Sequence, residues 1–213
     1  MSKNIVFDYR ALRLLVGLIA FAIPFAVSLI ARESLTSISA SYHTDARDAF
    51  VGLLFIVGAF LWAYNGHNIR QGRASKVASL AAFLVALYPT ACDACEPDIV
   101  SIVHVSAAAV LFSILAYFCL GPFREHIRNA GGKAGRRDNI YLACGVVMVA
   151  SMIAIGIGNL PPVKEFATGI RLTYWGEAAA LCAFGVAWIT AGKVIPWLAD
   201  DKEALHLFAR KGG

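Results

Sequence analysis

The sequence predicts an all-α, polytopic membrane bundle of six transmembrane helices, and three observations carry that prediction. Of 213 residues, 59% are hydrophobic and 15% charged, against about 25% charged in a soluble domain, and the mean hydropathy is +0.66. The apolar residues gather in runs long enough for a hydrocarbon core of roughly 30 Å, which takes about 20 helical residues to cross. Lys and Arg collect in alternate connections between those runs.

The first span covers about 11–31. It exceeds the roughly 7–15 residues of a signal-peptide core, and no small-x-small cleavage site follows, so it reads as a retained helix. The second covers 49–66. The third, at 77–92, is short and carries Pro89 near its end, which frees carbonyls that neighbouring helices or water must satisfy. The fourth, fifth and sixth fall at 100–120, 140–160 and 175–192. Small residues such as Ala107 to Ala109 and Ala178 to Ala180 suit close helix packing in lipid. Trp62, Tyr64, Tyr117, Phe118 and Trp188 near three span ends read as an aromatic belt at the membrane interface.

Residues 1–193 therefore form one transmembrane domain, with no Ser/Pro-rich linker or low-complexity tract to mark a second. In the tail, 194–213, Trp197, Leu198, Leu205 and Phe208 beside Asp200, Asp201, Lys202 and Glu203 read as an interfacial helix.

Orientation follows from the basic residues of short connections. Lys3, Arg10, Arg13, Arg70, Arg73, Lys76, Arg124, Arg128, Lys133, Arg136, Arg137, Lys193, Lys202, Arg210 and Lys211 fall on one side, which makes it cytoplasmic and puts both termini there. The other side keeps only Arg32, Arg47, Lys164 and Arg171, against Glu33, Asp45, Asp48, Asp93, Glu96, Asp98, Glu165 and Glu177. The net charge of +5 is thus an inside-positive bias and points to no nucleic acid. The expected location is a bacterial inner membrane. Its partners would be membrane lipids, with a second copy of the chain or a larger membrane complex also open.

Chemistry-bearing residues cluster on the outer side. Asp48 opens the second span, His104 lies about one turn inside the fourth, and Glu177 sits in the first turn of the sixth. Ionisable groups at such positions face a cavity or a partner. The loop ahead of the second span adds Ser39, Tyr42, His43 and Arg47, and Thr90, Ser101, Asn159 and Tyr174 lie at the same depth. His43, His104 and Glu177 would suffice to hold a zinc ion with one position open for water. Asp48 would orient that water, with Ser39 beside it and Arg47 on a lipid headgroup. The structural alternatives are a helix-dipole role for Asp48, a hydrogen bond from His104 to a neighbouring carbonyl, and a solvated His43. Cys92 and Cys95, as Cys-Asp-Ala-Cys in an outer loop, read as a disulfide, with a redox-active pair, metal binding or free thiols as alternatives.

Ser37-Ile38-Ser39 with Tyr42-His43, Arg47 to Gly52, Pro89-Thr90, His104, and Trp175-Gly176-Glu177 with Phe184-Gly185 resemble a group of small bacterial six-helix integral membrane proteins of unknown function. That resemblance covers most of the chain and implies the fold without an activity. A more remote resemblance, of Ser39, Tyr42-His43, Asp48 and His104, is to the superfamily of alkaline ceramidases and progestin/adipoQ receptors. It implies a zinc-dependent membrane hydrolase with His43 and His104 as ligands and Asp48 as ligand or base. That superfamily has seven spans and a paired His-x-x-x-His, where this chain has a single His104 followed by Ala108 and offers Glu177 instead.

Three functions follow as expectations. The first is a metal-dependent hydrolase of lipid-like amides or esters. The second is a transporter or ligand-binding protein using Asp48, His104 and Glu177 as protonatable groups. The third is a non-catalytic subunit or assembly factor of a membrane complex.

Overall fold

The computed structural model describes residues 9–92, 95–125 and 127–198. Along them run α1 (Tyr9–Ala31), a 3-10 turn (Ser39–His43), α2 (Arg47–Ala63), α3 (Ile69–Leu87), α4 (Ile99–Leu120), α5 (Gly132–Gly158), the six-residue α6 (Lys164–Gly169) and α7 (Leu172–Ala191), with no strand among the described residues. α1, α4, α5 and α7 are long and apolar enough to cross a membrane, at mean hydropathies of 2.6, 2.3, 2.4 and 1.2. α2 stops at 17 residues, and α3 carries Arg70, Arg73 and Lys76 in its first two turns.

Short connections make consecutive long helices antiparallel neighbours. α1 packs on α2, α2 on α3, α3 on α4, α4 on α5, α5 on α7 and α7 back on α1, so six helices close a ring in chain order, and α6 lies against α5 and α7. One end of the ring, here the distal end, carries the connections after α1, α3 and α5. The opposite, terminal end carries the connections after α2 and α4 together with residues 192–198.

Helix boundaries follow local chemistry. α3 starts one residue after Asn68, whose side chain accepts from Gln71 N at 3.0 Å. It ends at Leu87 rather than in a last turn reaching 92, because Tyr88, at φ −103° and ψ 116°, takes the extended backbone that a following proline imposes. α4 opens on a reciprocal cap in which Ser101 N donates to Asp98 Oδ1 at 2.8 Å and Asp98 N donates to Ser101 Oγ at 2.9 Å. Ser101 is thereby committed to the start of α4.

These bonds hold the Asp98 carboxyl below its ordinary value, the Ser101 backbone N–H contributing most and the Ser101 hydroxyl next. A carboxyl depressed on folding stabilises above its unfolded pKa, and the benefit goes as pH falls through the folded value. Acidification below the usual carboxylate range is therefore expected to open the first turn of α4, seen as faster amide exchange at Ser101 and Ile102. Asp98→Asn should flatten that pH dependence.

At the terminal end the expected aromatic belt divides. Trp62 and Tyr117 are exposed, as a belt requires, but Tyr64, Phe118 and Trp188 are fully buried. They meet edge to face at centroid distances of 5.3 Å for Tyr64–Trp188 and 5.9 Å for Tyr64–Phe118, with Phe123 joining at 5.9 Å from Trp188. These rings plug the interior of the bundle. Of the tail, the described part is a turn whose Leu198 is buried, with its carbonyl accepting from Arg137 Nη1 at 2.9 Å. The interfacial helix expected from Asp200, Leu205 and Phe208 lies outside the described residues.

Candidate functional site

At the distal end the chain between α1 and α2 turns back into the ring. Ile38 and Ser41 are essentially inaccessible there, and Ser37 and Ser39 are buried. Backbone polar groups taken out of water need partners, and the second turn of α7, rather than a first turn, supplies one. Glu177 Oε2 accepts from Ile38 N at 2.5 Å and Ser39 N at 3.2 Å, while Oε1 accepts from the Ser39 hydroxyl at 3.2 Å. Because Ser39 gives its proton to the carboxylate, the 3.1 Å contact between Ser37 and Ser39 is a donation from Ser37, whose oxygen in turn accepts from Ala40 N at 2.9 Å. A hydrogen-bonded chain thus runs Ala40, Ser37, Ser39, Glu177 and ends on a carboxylate.

The two histidines secure the segment after α3. Pro89 has no N–H to return to the Val85 carbonyl. The buried His104 ring donates from Nδ1 to the carbonyl of Tyr88, just ahead of the proline, at 2.6 Å. His43 Nε2 donates to Thr90 O at 2.7 Å. Each imidazole therefore commits one ring N–H to a carbonyl beside Pro89, and each keeps one nitrogen beyond that bond.

Below the turn lies a cavity of about 410 Å³ between α4, α5 and α7. Ser39, Thr90, His104, Asn159 and Glu177 form its polar part, and Val105, Ala108, Ala109, Phe112, Met152 and Ile155 its apolar wall. It shares Thr90, Val105 and Asn159 with a polar groove of about 580 Å³, where Cys92, Cys95, Glu96 and Lys164 also lie. The site is thus polar at one end and apolar at the other. Further in, a void of about 40 Å³ touched by His104 and Glu177 is otherwise walled by apolar residues such as Phe50, Leu54 and Leu111, apart from Ser39.

Of the residues expected to act together, Ser39, Thr90, His104, Asn159 and Glu177 share this cavity. His43 lines a separate recess with Glu33 and Thr44, and Asp48 is exposed in the first turn of α2. Arg47 bonds Tyr42 Oη at 3.0 Å and lies over that ring at 4.5 Å. Tyr174 donates to Ser28 Oγ at 2.7 Å, Ser28 giving its own proton to Pro24 O. Among the described residues no three His, Cys, Asp or Glu gather as metal ligands. Cys92 and Cys95 are disulfide-bonded, with Cys95 N also bonded to Cys92 O at 2.9 Å. The apolar wall carries no chemical motif, and only the run Ala107 to Ala109 in a span otherwise rich in large residues hints at a hollow.

No protein family model, curated protein or solved structure matches this chain.

Proposed function

We propose that this protein is a six-span membrane protein of a bacterial inner membrane, with its termini in the cytoplasm, that binds an amphiphile from the outer leaflet in the distal cavity. α2 and α3 belong to the same ring as the four longer apolar helices, which supports their spanning with them, and the basic connections support the orientation. The observation that carries the binding reading is the joining of an apolar wall on α4 and α5 to a polar groove through Thr90, Val105 and Asn159. An acyl chain suits the first and a headgroup the second. The apolar interior beyond Glu177 favours binding over transport, since a solute or proton crossing the bilayer needs polar steps on the way.

The test is retention of lysophospholipid or fatty amide by the detergent-purified protein, followed by native mass spectrometry. Ala109→Phe, placed on the cavity wall, is expected to weaken retention roughly tenfold, equivalent to about 1.4 kcal/mol of steric cost. Equal retention by a folded Ala109→Phe would remove this reading.

A hydrolytic reading rests on one further observation, the Ser39 hydroxyl donating to Glu177 inside the same cavity. In that reading the carboxylate takes the proton as Ser39 attacks the carbonyl carbon of an ester or amide, and returns it to the departing alcohol or amine as the C–O or C–N bond breaks, leaving an acyl-serine that water hydrolyses. Ser39→Ala would then abolish turnover of a bound ester while leaving its retention intact. A metal would need ligands beyond His104 and Glu177, and zinc measured in wild type and His104→Ala decides whether one takes part.

A further inference from the structure

α4 and α5 run antiparallel as neighbours, and what lies between them changes along their length. In the half toward the terminal end they touch: a Cβ on Gly145 would lie 2.5 Å from Leu120 Cγ and 3.3 Å from Cys119 Cβ. Toward the distal end α5 leans onto α6 and α7, where a Cβ on Gly158 would lie 2.7 Å from Leu172 Cδ2 and 3.1 Å from Ala167 Cβ. α4 is drawn the other way, its buried His104 bonded to the carbonyl of Tyr88 at the end of α3. A Cβ on Gly156 consequently meets nothing within 4 Å, although this glycine lines the distal cavity together with Ala109 of α4. Two helices joined in one half and parted in the other leave a slot, and the distal cavity lies behind it.

Both lips of the slot face outward. Val105 and Ala109 on α4 and Gly156 on α5 are exposed, and each also lines the cavity. Exposed Ile102, Val110, Ile153 and Ile157 beside them are apolar, while Ser106 belongs to the polar groove. α4 and α5 are both long and apolar enough to cross a membrane, so the medium at the slot is acyl chain rather than water. The apolar wall of the cavity runs on α4 from Val105 to Phe112, about 10 Å at 1.5 Å per residue. A chain of a membrane lipid reaches about 15 Å, half of the roughly 30 Å hydrocarbon core. Such a chain outruns the wall, and the slot gives its far end a way back into the bilayer.

We propose that the slot is a lateral portal and that the ligand of the distal cavity is a lipid resident in the outer leaflet. It enters sideways, with its headgroup end in the polar groove and the end of its chain left between the lips. This rests on the amphiphile reading above and names the source of its ligand, the bilayer itself.

The test reconstitutes the full-length protein in phosphatidylcholine vesicles doped with a phosphatidylcholine whose acyl chain carries a photoactivatable diazirine, and maps the labelled residues by mass spectrometry. Met152 and Glu177, which line the cavity, are expected to be labelled. Gly156→Trp, which fills the slot, should lower that labelling roughly tenfold, and Val105→Trp on the facing lip should do the same. Leu29→Trp on the exposed face of α1 should leave it unchanged. Thermal unfolding checks that each variant is assembled, and the second blocking variant decides if the first does not fold. Cavity labelling undiminished in a folded blocking variant, or no cavity labelling while exposed Phe25 of α1 is labelled, would overturn lateral entry. Retention of octanoyl lysophosphatidylcholine in detergent, a probe whose short chain the wall can hold, separates the two readings. Retention by the wild type without vesicle labelling removes the portal alone, and absence of both removes the amphiphile site with it. Retention kept by Gly156→Trp supports a blocked slot before an open cavity, and its loss would mean that the tryptophan fills the cavity and would count against the portal.

Discussion

Glu177→Ala is expected to destabilise the bundle by about 3 kcal/mol and to release the turn at 38–43. The estimate comes from what the alanine leaves behind. Two backbone N–H groups, of Ile38 and Ser39, and the Ser39 hydroxyl all end on this carboxylate. A buried donor stripped of its acceptor costs about 1–3 kcal/mol, and water entering from the adjoining cavity offsets part of the sum of three. Glu177→Gln keeps one acceptor oxygen and turns the other into a donor facing donors, so it should cost less, about 1–2 kcal/mol. Both are measurable by reversible unfolding in denaturing detergent. The sharper readout is amide exchange, because the loss should be local: Ile38, Ser39 and Ala40 are expected to exchange far faster in Glu177→Ala while α4 and α5 change little. Unchanged protection at those three amides would mean that the turn is held by its apolar burial, chiefly Ile38, and that the carboxylate is free for other work.

What the residues disclosed in advance, and what they withheld, divides along physical lines. Hydropathy and basic connections located six helical segments because length and composition are one-dimensional properties. The caps at Asn68 and Asp98 went unread, and α3 begins at Ile69, ahead of the apolar run from 77, because hydropathy is blind to the polar first turns of a helix. The gathering of His104, Glu177, Ser39, Thr90 and Asn159 on one cavity was legible because polar groups at similar depth on adjacent antiparallel spans have one place to meet. Their partners were not. Glu177 meets backbone N–H groups, which have no residue-type signature, and a carboxylate read beside two histidines suggests a metal instead. Pro89 held the clue to the histidines, since it ends α3 and leaves the flanking Tyr88 and Thr90 carbonyls to other partners, but nothing in the linear pattern says which side chains answer. Rotational phase was hidden too. Tyr64, Phe118 and Trp188 looked like a belt because lipid and bundle interior are equally apolar, so hydrophobic pattern does not separate an inward ring from an outward one. The same degeneracy hid the apolar wall of Ala108, Ala109, Phe112 and Met152.

Gly185→Val is expected to cost about 3 kcal/mol or more, because at this point α1 and α7 touch backbone to backbone. A Cβ on Gly185 would lie 2.7 Å from Gly17 O, 2.7 Å from Phe21 Cβ and 2.9 Å from Phe21 N. A Cβ on Gly17 would meet Gly185 O and Ile189 N, each at 2.7 Å. Main-chain atoms cannot rotate out of the way as a side chain does, so the two helices must separate along their seam. Overpacking a close-packed site costs about 1–3 kcal/mol when side chains can yield, and more is expected where they cannot. The consequence reaches both ends. Arg13 reaches Ala191 at the terminal end, and the Tyr174 hydroxyl reaches Ser28 at the distal end, so both contacts bridge α1 and α7. Separation should therefore weaken amphiphile retention at the distal end and loosen the packing at the terminal end together, which no change confined to one end would do. The control is Gly52, where an added Cβ meets nothing within 4 Å. Gly52→Ala should be neutral or stabilising by about 0.5–1 kcal/mol, since alanine is the better helix former. Side by side in denaturing detergent, Gly185→Ala is expected to unfold well before Gly52→Ala. Equal stability of the two would mean that α1 and α7 do not meet at these glycines and that the ring closes through a wider gap.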